Sequence, residues 1–266
     1  MKNIPFHENI PFKQKELSVK IETYSAENSF KPHWHEHIEL LYILEGEGTA
    51  ICDESSFSIK EGDLIVVNPT QIHTLNPSGR LEFCCVLIYS WFFSDVEFDA
   101  TTSIISLVRE DSFVKETIEK LMLQKKTKTP YRDMLIKSYT YELVAHLLKN
   151  YAEQKNINES SNKTADTVIY YINKHYSEKI TTEKLASLCA MNESYFCRFF
   201  KKNFNKTPIE YLNEFRIEKA CELLSLTTQS VTEVAFSVGY EDIHYFSRMF
   251  KKIKNCSPSE YRRNLS

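Results

Sequence analysis

Three histidines and one glutamate near the amino terminus have the types and spacing of a ligand site. His33, His35 and Glu39 follow the pattern His-x-His-x₃-Glu, and His73 follows further along the chain. Imidazole nitrogens and carboxylate oxygens are donors that suit Fe, Mn, Ni or Zn. The same groups also line polar pockets as hydrogen-bonding side chains. With Trp34, which lies inside the pattern, these residues therefore form a candidate effector site, and the four donors form a candidate divalent-metal site.

Aromatic residues near this pattern favour a ring-shaped ligand. Trp34 and the consecutive residues Trp91, Phe92 and Phe93 offer faces on which a sugar ring can stack. Aromatic side chains are more often part of a core or an interface. The sequence leaves both alternatives open.

A second candidate surface comes from a repeated segment near the carboxyl terminus. YFCRFFKK at 195–202 is repeated as YFSRMFKK at 245–252, and no acidic residue lies within 194–206 or 243–255. Arginine can contact a guanine edge through two hydrogen bonds, and lysine and hydroxyl groups can hold phosphates. The residues assigned to double-stranded DNA are Ser194, Tyr195, Arg198, Lys201, Lys202, His244, Ser247, Arg248, Lys251 and Lys252.

A simpler explanation of one such segment is a surface helix whose basic residues near its carboxyl end are favoured by the helix dipole. The dipole does not require arginine and lysine at matching positions in two helices. The repetition therefore favours a pair of recognition helices.

The hydrophobic pattern changes along the chain and predicts four regions. Residues 1–100 contain short runs of β-branched and aromatic residues between turn residues, which predicts an all-β sandwich or small barrel. Residues 101–152 show helical spacing, 153–165 read as a polar linker, and 166–266 are helical with an internal repeat.

Local signals within the repeat predict two helix-turn-helix units. In the second unit, Ser230-x-x-Glu233 is a capping box, Gly239 suits a sharp turn, and Asp242 can cap the next helix. In the first unit, Asn192 takes the capping position and Ala190 replaces the glycine. Thr207-Pro208-x-Glu210 opens the connecting helix, which the sequence predicts to run to Ser225.

Composition limits the class of protein. The chain has 266 residues and a net charge of −3, with 15 basic and 12 acidic residues in 165–266 against 18 and 24 before it. The seven cysteines form no Cys-x-x-Cys pair, which is typical of reduced thiols. With no signal peptide or membrane-length apolar run, we expect a cytoplasmic protein without a membrane partner. The sequence has no Gly-rich phosphate loop, Gly-x-Ser-x-Gly motif or nucleophile–base set, so we do not expect an enzyme.

Residues 167–266 resemble the AraC/XylS family of bacterial transcription regulators. The resemblance rests on RIxxAxxLL at 216–224, AxxVGY at 235–240, YFSRxFKK at 245–252 and SPxEYR at 257–262. It implies a seven-helix all-α domain with two helix-turn-helix units on one face of DNA, usually activating transcription and so engaging RNA polymerase. Ile243 and Cys197 depart from the residues common in the family, at positions that can change base preference.

The histidine pattern, continued to Gly46, is similar to the first motif of the cupin barrels. His73 stands where the second cupin motif supplies another histidine, although its spacing is shorter. In cupin enzymes these four residues hold a divalent metal. Many AraC-like regulators instead begin with a cupin-like barrel that binds an effector, often a sugar. By this resemblance the helix near 132–151 is a candidate homodimer element, with packing on its own barrel as the alternative.

The sequence thus predicts two domains, an all-β cupin-like barrel followed by helices and an all-α DNA-binding domain. We expect an effector-responsive regulator of promoter DNA that needs no cofactor, unless the histidines bind a divalent metal. A metal-dependent cupin enzyme or metal-dependent sensor with a helical tail is the rival hypothesis. A regulator without an effector is the third.

Overall fold

The computed structural model describes residues 6–8, 18–89, 92–93, 102–154, 163–204 and 206–263. The chain divides into two compact units, with the main boundary between Asp166 and Thr167. Across the described ranges, no helix is both long enough and apolar enough to cross a membrane.

Strands dominate the amino-terminal unit. They are β1 (Phe6–His7), β2 (Val19–Ala26), β3 (His33–Trp34), β4 (Ile38–Glu45), β5 (Glu47–Cys52), β6 (Ser55–Lys60), β7 (Leu64–Val67), β8 (His73–Pro77), β9 (Leu81–Ile88), β10 (Thr102–Ile104), β11 (Leu107–Val108) and β12 (Ala152–Gln154). One five-stranded sheet has the order β1-β3-β8-β5-β6, a second has the order β11-β7-β4-β9-β2, and β10 pairs with β12. No pairing among the described strands closes these sheets into one barrel, so the predicted cupin-like barrel is a pair of sheets here.

Alternation along the strands gives the second sheet two different faces. Leu41 pairs with Cys85 and Glu39 with Leu87, and because successive side chains point to opposite sides, these four share one face. Leu40 pairs with Val86 on the other face, which belongs to the main apolar core. One face is thus closed by the core and the other is left for a binding site.

Two helices cover the core face of this sheet. They are α1 (Ser112–Lys126) and α2 (Arg132–Tyr151). Their buried residues Ile118, Leu143 and Leu147 lie in the same core as Leu40 and Val86. The alternative that the helix near 132–151 packs on its own domain is therefore confirmed, and the homodimer stays a prediction.

The described part of the carboxyl-terminal unit holds seven helices, as the resemblance implies. They are α3 (Lys163–His175), α4 (Thr182–Leu188), α5 (Glu193–Phe204), α6 (Pro208–Leu226), α7 (Val231–Ser237), α8 (Ile243–Lys254) and α9 (Pro258–Arg263). Both predicted capping boxes are present, at Thr207 with Glu210 and at Ser230 with Glu233.

The two tight turns also follow the sequence prediction. Gly239 has a φ of 87°, and Ala190, which replaces glycine in the first unit, has a φ of 52°. Asp242 accepts hydrogen bonds from the backbone of α8, and Asn192 accepts one from the Tyr195 amide at 2.9 Å. Asn192 and Asp242 therefore start the two predicted recognition helices as expected.

Two predicted regions differ from the structure. The helical pattern predicted from residue 101 is wrong over 102–108, where β10 and β11 lie, because pairing with β12 and β7 outweighs the local spacing of Ile104 and Val108. The predicted linker 153–165 begins inside β12 and ends inside α3. Its middle, 155–162, lies outside the described residues.

Candidate effector cavity and nucleic-acid interface

The structure brings the three predicted histidines together. One ring nitrogen from each of His33, His35 and His73 lies within 4.8 Å of the others. His33 and His73 are partners in the β3–β8 pairing, and their ring centroids are 4.1 Å apart. His35 follows β3 directly and is fully buried. The antiparallel pairing of β3 with β8 thus brings His73, which is distant in the sequence, next to His33 and His35.

Glu39 supplies a carboxylate to this cluster from the second sheet. Its Oε2 lies 3.2 Å from His73 Nε2 and 3.5 Å from His35 Nε2. Neither contact has the angular geometry of a hydrogen bond. Burial alone would raise the pKa of Glu39, but the two imidazoles outweigh it and hold that pKa well below its usual value. The carboxylate is therefore charged at neutral pH.

Backbone contacts indicate the tautomers of two histidines. His33 Nδ1 lies 2.9 Å from the Lys31 carbonyl oxygen, and His73 Nδ1 lies 3.0 Å from that of Gln71. A carbonyl can only accept, so each Nδ1 carries a proton. Burial lowers the pKa of His73, against the opposing effect of Glu39. Each ring is thus oriented by a backbone carbonyl with Nε2 turned towards a carboxylate, Glu8 for His33 and Glu39 for His73.

Glu8 adds a second carboxylate that the sequence did not single out. Its Oε2 lies 3.2 Å from His33 Nε2. Burial acts to lower the pKa of His33, but the contacts with Glu8 and the Lys31 carbonyl outweigh it and raise that pKa. The same contact lowers the pKa of Glu8. Two carboxylates, Glu8 and Glu39, therefore lie next to the histidine cluster.

Part of the cluster borders a cavity of about 280 Å³ whose lining residues come from both sheets. His33, Glu39 and His73 line it, together with apolar and charged residues from both sheets. These other lining residues are Glu8, Lys20, Glu22, Tyr24, Phe30, Lys31, Leu41, Leu75, Phe83, Cys85 and Leu87. A volume of this size fits a small molecule rather than a macromolecule.

The other aromatic and histidine predictions fall elsewhere. His35 and Trp34 are buried and are not part of the described cavity wall. Phe92 is a core residue and Phe93 packs against that core, so the structure does not place them where a ligand could stack. Trp91 lies outside the described residues. The aromatic rings at the cavity are Tyr24, Phe30 and Phe83.

The second candidate surface is exposed as predicted. Phe196, Phe200 and Phe204 bury one face of α5, and Phe246 and Phe250 bury one face of α8. The opposite faces carry the residues assigned to DNA. Of these, Ser194, Tyr195, Arg198, Lys201, Lys202, His244, Arg248, Lys251 and Lys252 are exposed and Ser247 is half-buried.

The chain matches two protein-family models. Residues 18–144 match a model described as AraC-like ligand binding domain, and residues 185–264 match one described as helix-turn-helix domain. The chain belongs to the AraC family of transcriptional regulators. As an AraC-family protein, it is a DNA-binding regulator of transcription with an amino-terminal ligand-binding domain.

Similar proteins share this organisation. An uncharacterized HTH-type transcriptional regulator, YdeC of Bacillus subtilis, is 26% identical over 256 residues, covering 89% of this chain and 87% of that protein. The raffinose operon transcriptional regulatory protein RafR of Pediococcus pentosaceus is 27% identical over 281 residues, covering 99% and 96%. The lactose operon transcription activator of Staphylococcus xylosus is 33% identical over 135 residues, covering 50% and 48%.

Sequence reasoning missed part of the site of this AraC-family chain. Cys85 lines the cavity, and its Sγ lies 3.1 Å from Glu39 Oε1. Burial raises the pKa of this thiol well above its usual value, so it is a neutral donor to the carboxylate. Strand alternation gives only the relative parity of Phe83, Cys85 and Leu87. Whether that face of the strand lies at the cavity depends on the pairing of β9 with β4, and no local sequence signal predicts this pairing.

Proposed function

We propose that this regulator reads promoter DNA through α5 and α8 and that a small molecule in the cavity alters that binding. The observation that supports it is the matched pair of exposed basic faces, each opposite a buried phenylalanine stripe. A helix of this kind fits the major groove, where arginine and hydroxyl groups meet base edges and phosphates. A ligand regulates such a protein only if it binds one DNA-binding state more tightly than another.

The test is a gel shift with the full chain at moderate salt. DNA from upstream of the chain's own gene is compared with a random duplex of equal length. We expect a tighter complex with the upstream DNA. Equal affinity for both duplexes contradicts sequence-specific regulation.

The effector class that the cavity fits best is a sugar. Glu39, His33 and His73 offer acceptors and donors for hydroxyl groups, and Phe30 and Phe83 offer ring faces. Two of the similar proteins are named for the raffinose and lactose operons. Calorimetric titration with a panel of mono- and oligosaccharides tests this proposal.

A pair of variants makes the sugar test specific to the cavity. Glu39→Gln removes the central charge while keeping the side-chain shape, and we expect it to weaken sugar binding about tenfold or more. Glu27→Gln, at an exposed site outside the cavity wall, is the control. Equal losses in both variants, or no heat from any sugar, would refute a sugar at this cavity.

We further propose that the chain acts in the cytoplasm as a homodimeric activator that engages RNA polymerase. The activator named among the similar proteins supports the direction of regulation. Sedimentation of the full chain and transcription in vitro with purified polymerase test the two partners separately. If the chain sediments as a monomer and still activates transcription, the homodimer is refuted and the activator proposal is not.

A metal-dependent sensor is the second candidate function. His35, His73 and Glu39 turn ring nitrogens and carboxylate oxygens towards one another, and buried nitrogens of His35 and His73 have no hydrogen-bond partner among the residues that the structure describes. The backbone carbonyls of Lys31 and Gln71 orient two of the rings, as second-sphere groups orient metal-bound histidine. The donors therefore fit a divalent ion such as Fe, Mn, Ni or Zn.

Bound at this cluster, the ion would act as an electrophilic centre for an effector oxygen, held by His33, His35, Glu39 and His73. Elemental analysis of protein purified without chelator tests it, with His73→Ala as the matched variant. We expect about one ion per chain and loss of that ion in the variant. Metal together with turnover of a substrate favours the rival enzyme, and metal without turnover favours the sensor.

A further inference from the structure

The two recognition helices hold their equivalent arginines differently. In the second unit the Arg248 guanidinium lies over the ring of Tyr245, 5.3 Å from its centroid. An arginine over a tyrosine face is attracted by the negative charge density of the ring. The Tyr245 hydroxyl in turn accepts a hydrogen bond from Asn213 Nδ2 at 3.3 Å. Arg248 is thus held by a ring that is itself tethered to α6.

The hydrogen bonds that hold Tyr245 continue into the interior of the carboxyl-terminal unit. Asn213 is buried, and its Oδ1 accepts a hydrogen bond from the Tyr240 hydroxyl at 3.0 Å. The Arg216 guanidinium lies 5.4 Å from the Tyr240 ring centroid and donates to the backbone carbonyls of Tyr176 and Glu178, both at 2.7 Å. The support of Tyr245 therefore rests on buried, hydrogen-bonded groups.

The first unit lacks this arrangement. Tyr195 is the repeat equivalent of Tyr245, yet 51% of it is exposed. In the part of the chain that the structure describes, no lysine or arginine lies over its ring and its hydroxyl has no hydrogen-bond partner. Met191 stands where the second unit has Tyr240. The same motif is therefore supported in one helix and unsupported in the other.

We propose that Tyr245 is a positioning residue for Arg248 and makes α8 the more base-selective of the two recognition helices. The proposal rests on the proposed reading of DNA by α5 and α8. A paired contact with a guanine edge needs a guanidinium in one orientation, and an arginine already held there loses less side-chain freedom on binding. Arg198 must be ordered at the moment of binding, which weakens its discrimination.

The test is selection of DNA sites from a randomised duplex pool by the full chain, followed by sequencing. Wild-type protein is compared with Tyr245→Leu, Tyr245→Phe and the equivalent Tyr195→Leu, and Arg248→Ala identifies the half of the site that α8 reads. We expect Tyr245→Leu to reduce discrimination in that half roughly two- to fivefold. Tyr245→Phe keeps the ring and loses only the hydroxyl, so a smaller loss is expected. Tyr195 is itself assigned to DNA but does not hold Arg198, so Tyr195→Leu should leave the half that α8 reads unchanged and should reduce discrimination in the α5 half by less than Tyr245→Leu does in the α8 half.

Affinity for random duplex separates positioning from a structural role. Tyr245→Leu should keep wild-type affinity for random DNA and the same salt dependence, because the phosphate contacts are intact. Unchanged preference in both Tyr245 variants, an equal loss in Tyr195→Leu, or an equal loss on random DNA overturns the proposal. If wild-type protein selects no sequence at all, the proposed function itself fails, and this result is distinct from the others.

Discussion

At the scale of single residues, Arg198 and Arg248 make the sharpest claim about DNA. They occupy equivalent positions of the repeat and both are exposed on the face opposite a buried phenylalanine stripe. If they read bases, Arg198→Ala and Arg248→Ala should each cost ~1–3 kcal/mol of binding free energy on the selected site and much less on random DNA. Fluorescence anisotropy titrations on both duplexes measure the difference. Equal losses on the two duplexes would make these arginines phosphate contacts.

Gly239 is a residue whose backbone dictates its type. Its φ of 87° is strained for any other residue, and an added Cβ would lie 2.7 Å from the Ser177 carbonyl oxygen and 2.8 Å from that of Tyr176. We expect Gly239→Ala to reduce the free energy of unfolding by more than the ~1–2 kcal/mol of the left-handed conformation alone. Urea unfolding of the variant measures this loss.

Ala190 provides the matched comparison for that prediction. It holds the same turn position with a φ of 52°. Ala190→Gly relieves a similar backbone strain but makes the unfolded chain more flexible, so the two effects nearly cancel. We expect a change within ~1 kcal/mol. A large loss in Ala190→Gly, or none in Gly239→Ala, would contradict this account of the turns.

At the scale of elements, Asp111 joins the start of α1 to the end of α2. Its Oδ1 accepts from the Val114 amide at 3.0 Å, while Oδ2 lies 2.7 Å from His146 Nε2 and accepts from the Tyr151 hydroxyl at 2.8 Å. Burial acts to raise the pKa of Asp111, but these contacts outweigh it and lower that pKa to about 2. The charged carboxylate therefore stabilises the pair of helices.

Asp111→Asn tests this joint because asparagine keeps the cap and removes the charge. The pKa is lowered on folding, so the stabilisation is complete above the unfolded value near 3.8 and is lost as pH falls towards 2. We expect the variant to be less stable by on the order of 1 kcal/mol at pH 7, with the difference shrinking below pH 4. Urea unfolding across pH measures it, with the exposed Glu116→Gln as control. A difference that stays constant with pH would exclude the charge as its cause.

Elements defined by local chemistry were the predictable part of the fold. The capping boxes at Thr207 and Ser230 and the turn at Gly239 depend on residues a few positions apart, and all three are present. The spacing of Ile104 and Val108 is helical and predicts a helix, yet both residues lie in strands. Their strands depend on β12 and β7, which are distant in the sequence.

The candidate site likewise contains residues that the sequence predicts and residues that only the fold reveals. The cluster of His33, His35 and His73 follows from a motif, whereas Phe83 and Cys85 face the cavity because of the register of β9 with β4. Tyr245 has the same sequence context as Tyr195, and only the fold gives it Asn213 as a partner. Similar sequences therefore acquire different roles through long-range packing.

At the scale of the molecule, the length of α6 limits how the carboxyl-terminal unit reads DNA. The helix has 19 residues, which corresponds to ~28 Å, and successive major-groove faces lie ~34 Å apart. Because a helix packed along its length cannot stretch, the two recognition helices should require one fixed separation of their half-sites. A flexible connection would instead tolerate any separation that returns both halves to one face of the duplex.

Insertions between the two halves of the selected site separate these alternatives. Five added base pairs turn the second half to the opposite face, and ten restore the face but add another ~34 Å. With α6 as a rigid spacer, both insertions should reduce affinity to that of a single half-site. Anisotropy titrations with the full chain measure the affinities, and the same chain on a duplex whose α8 half is replaced by random sequence supplies the single-half reference. Recovery of full affinity with ten added base pairs would show that α6 does not fix the spacing.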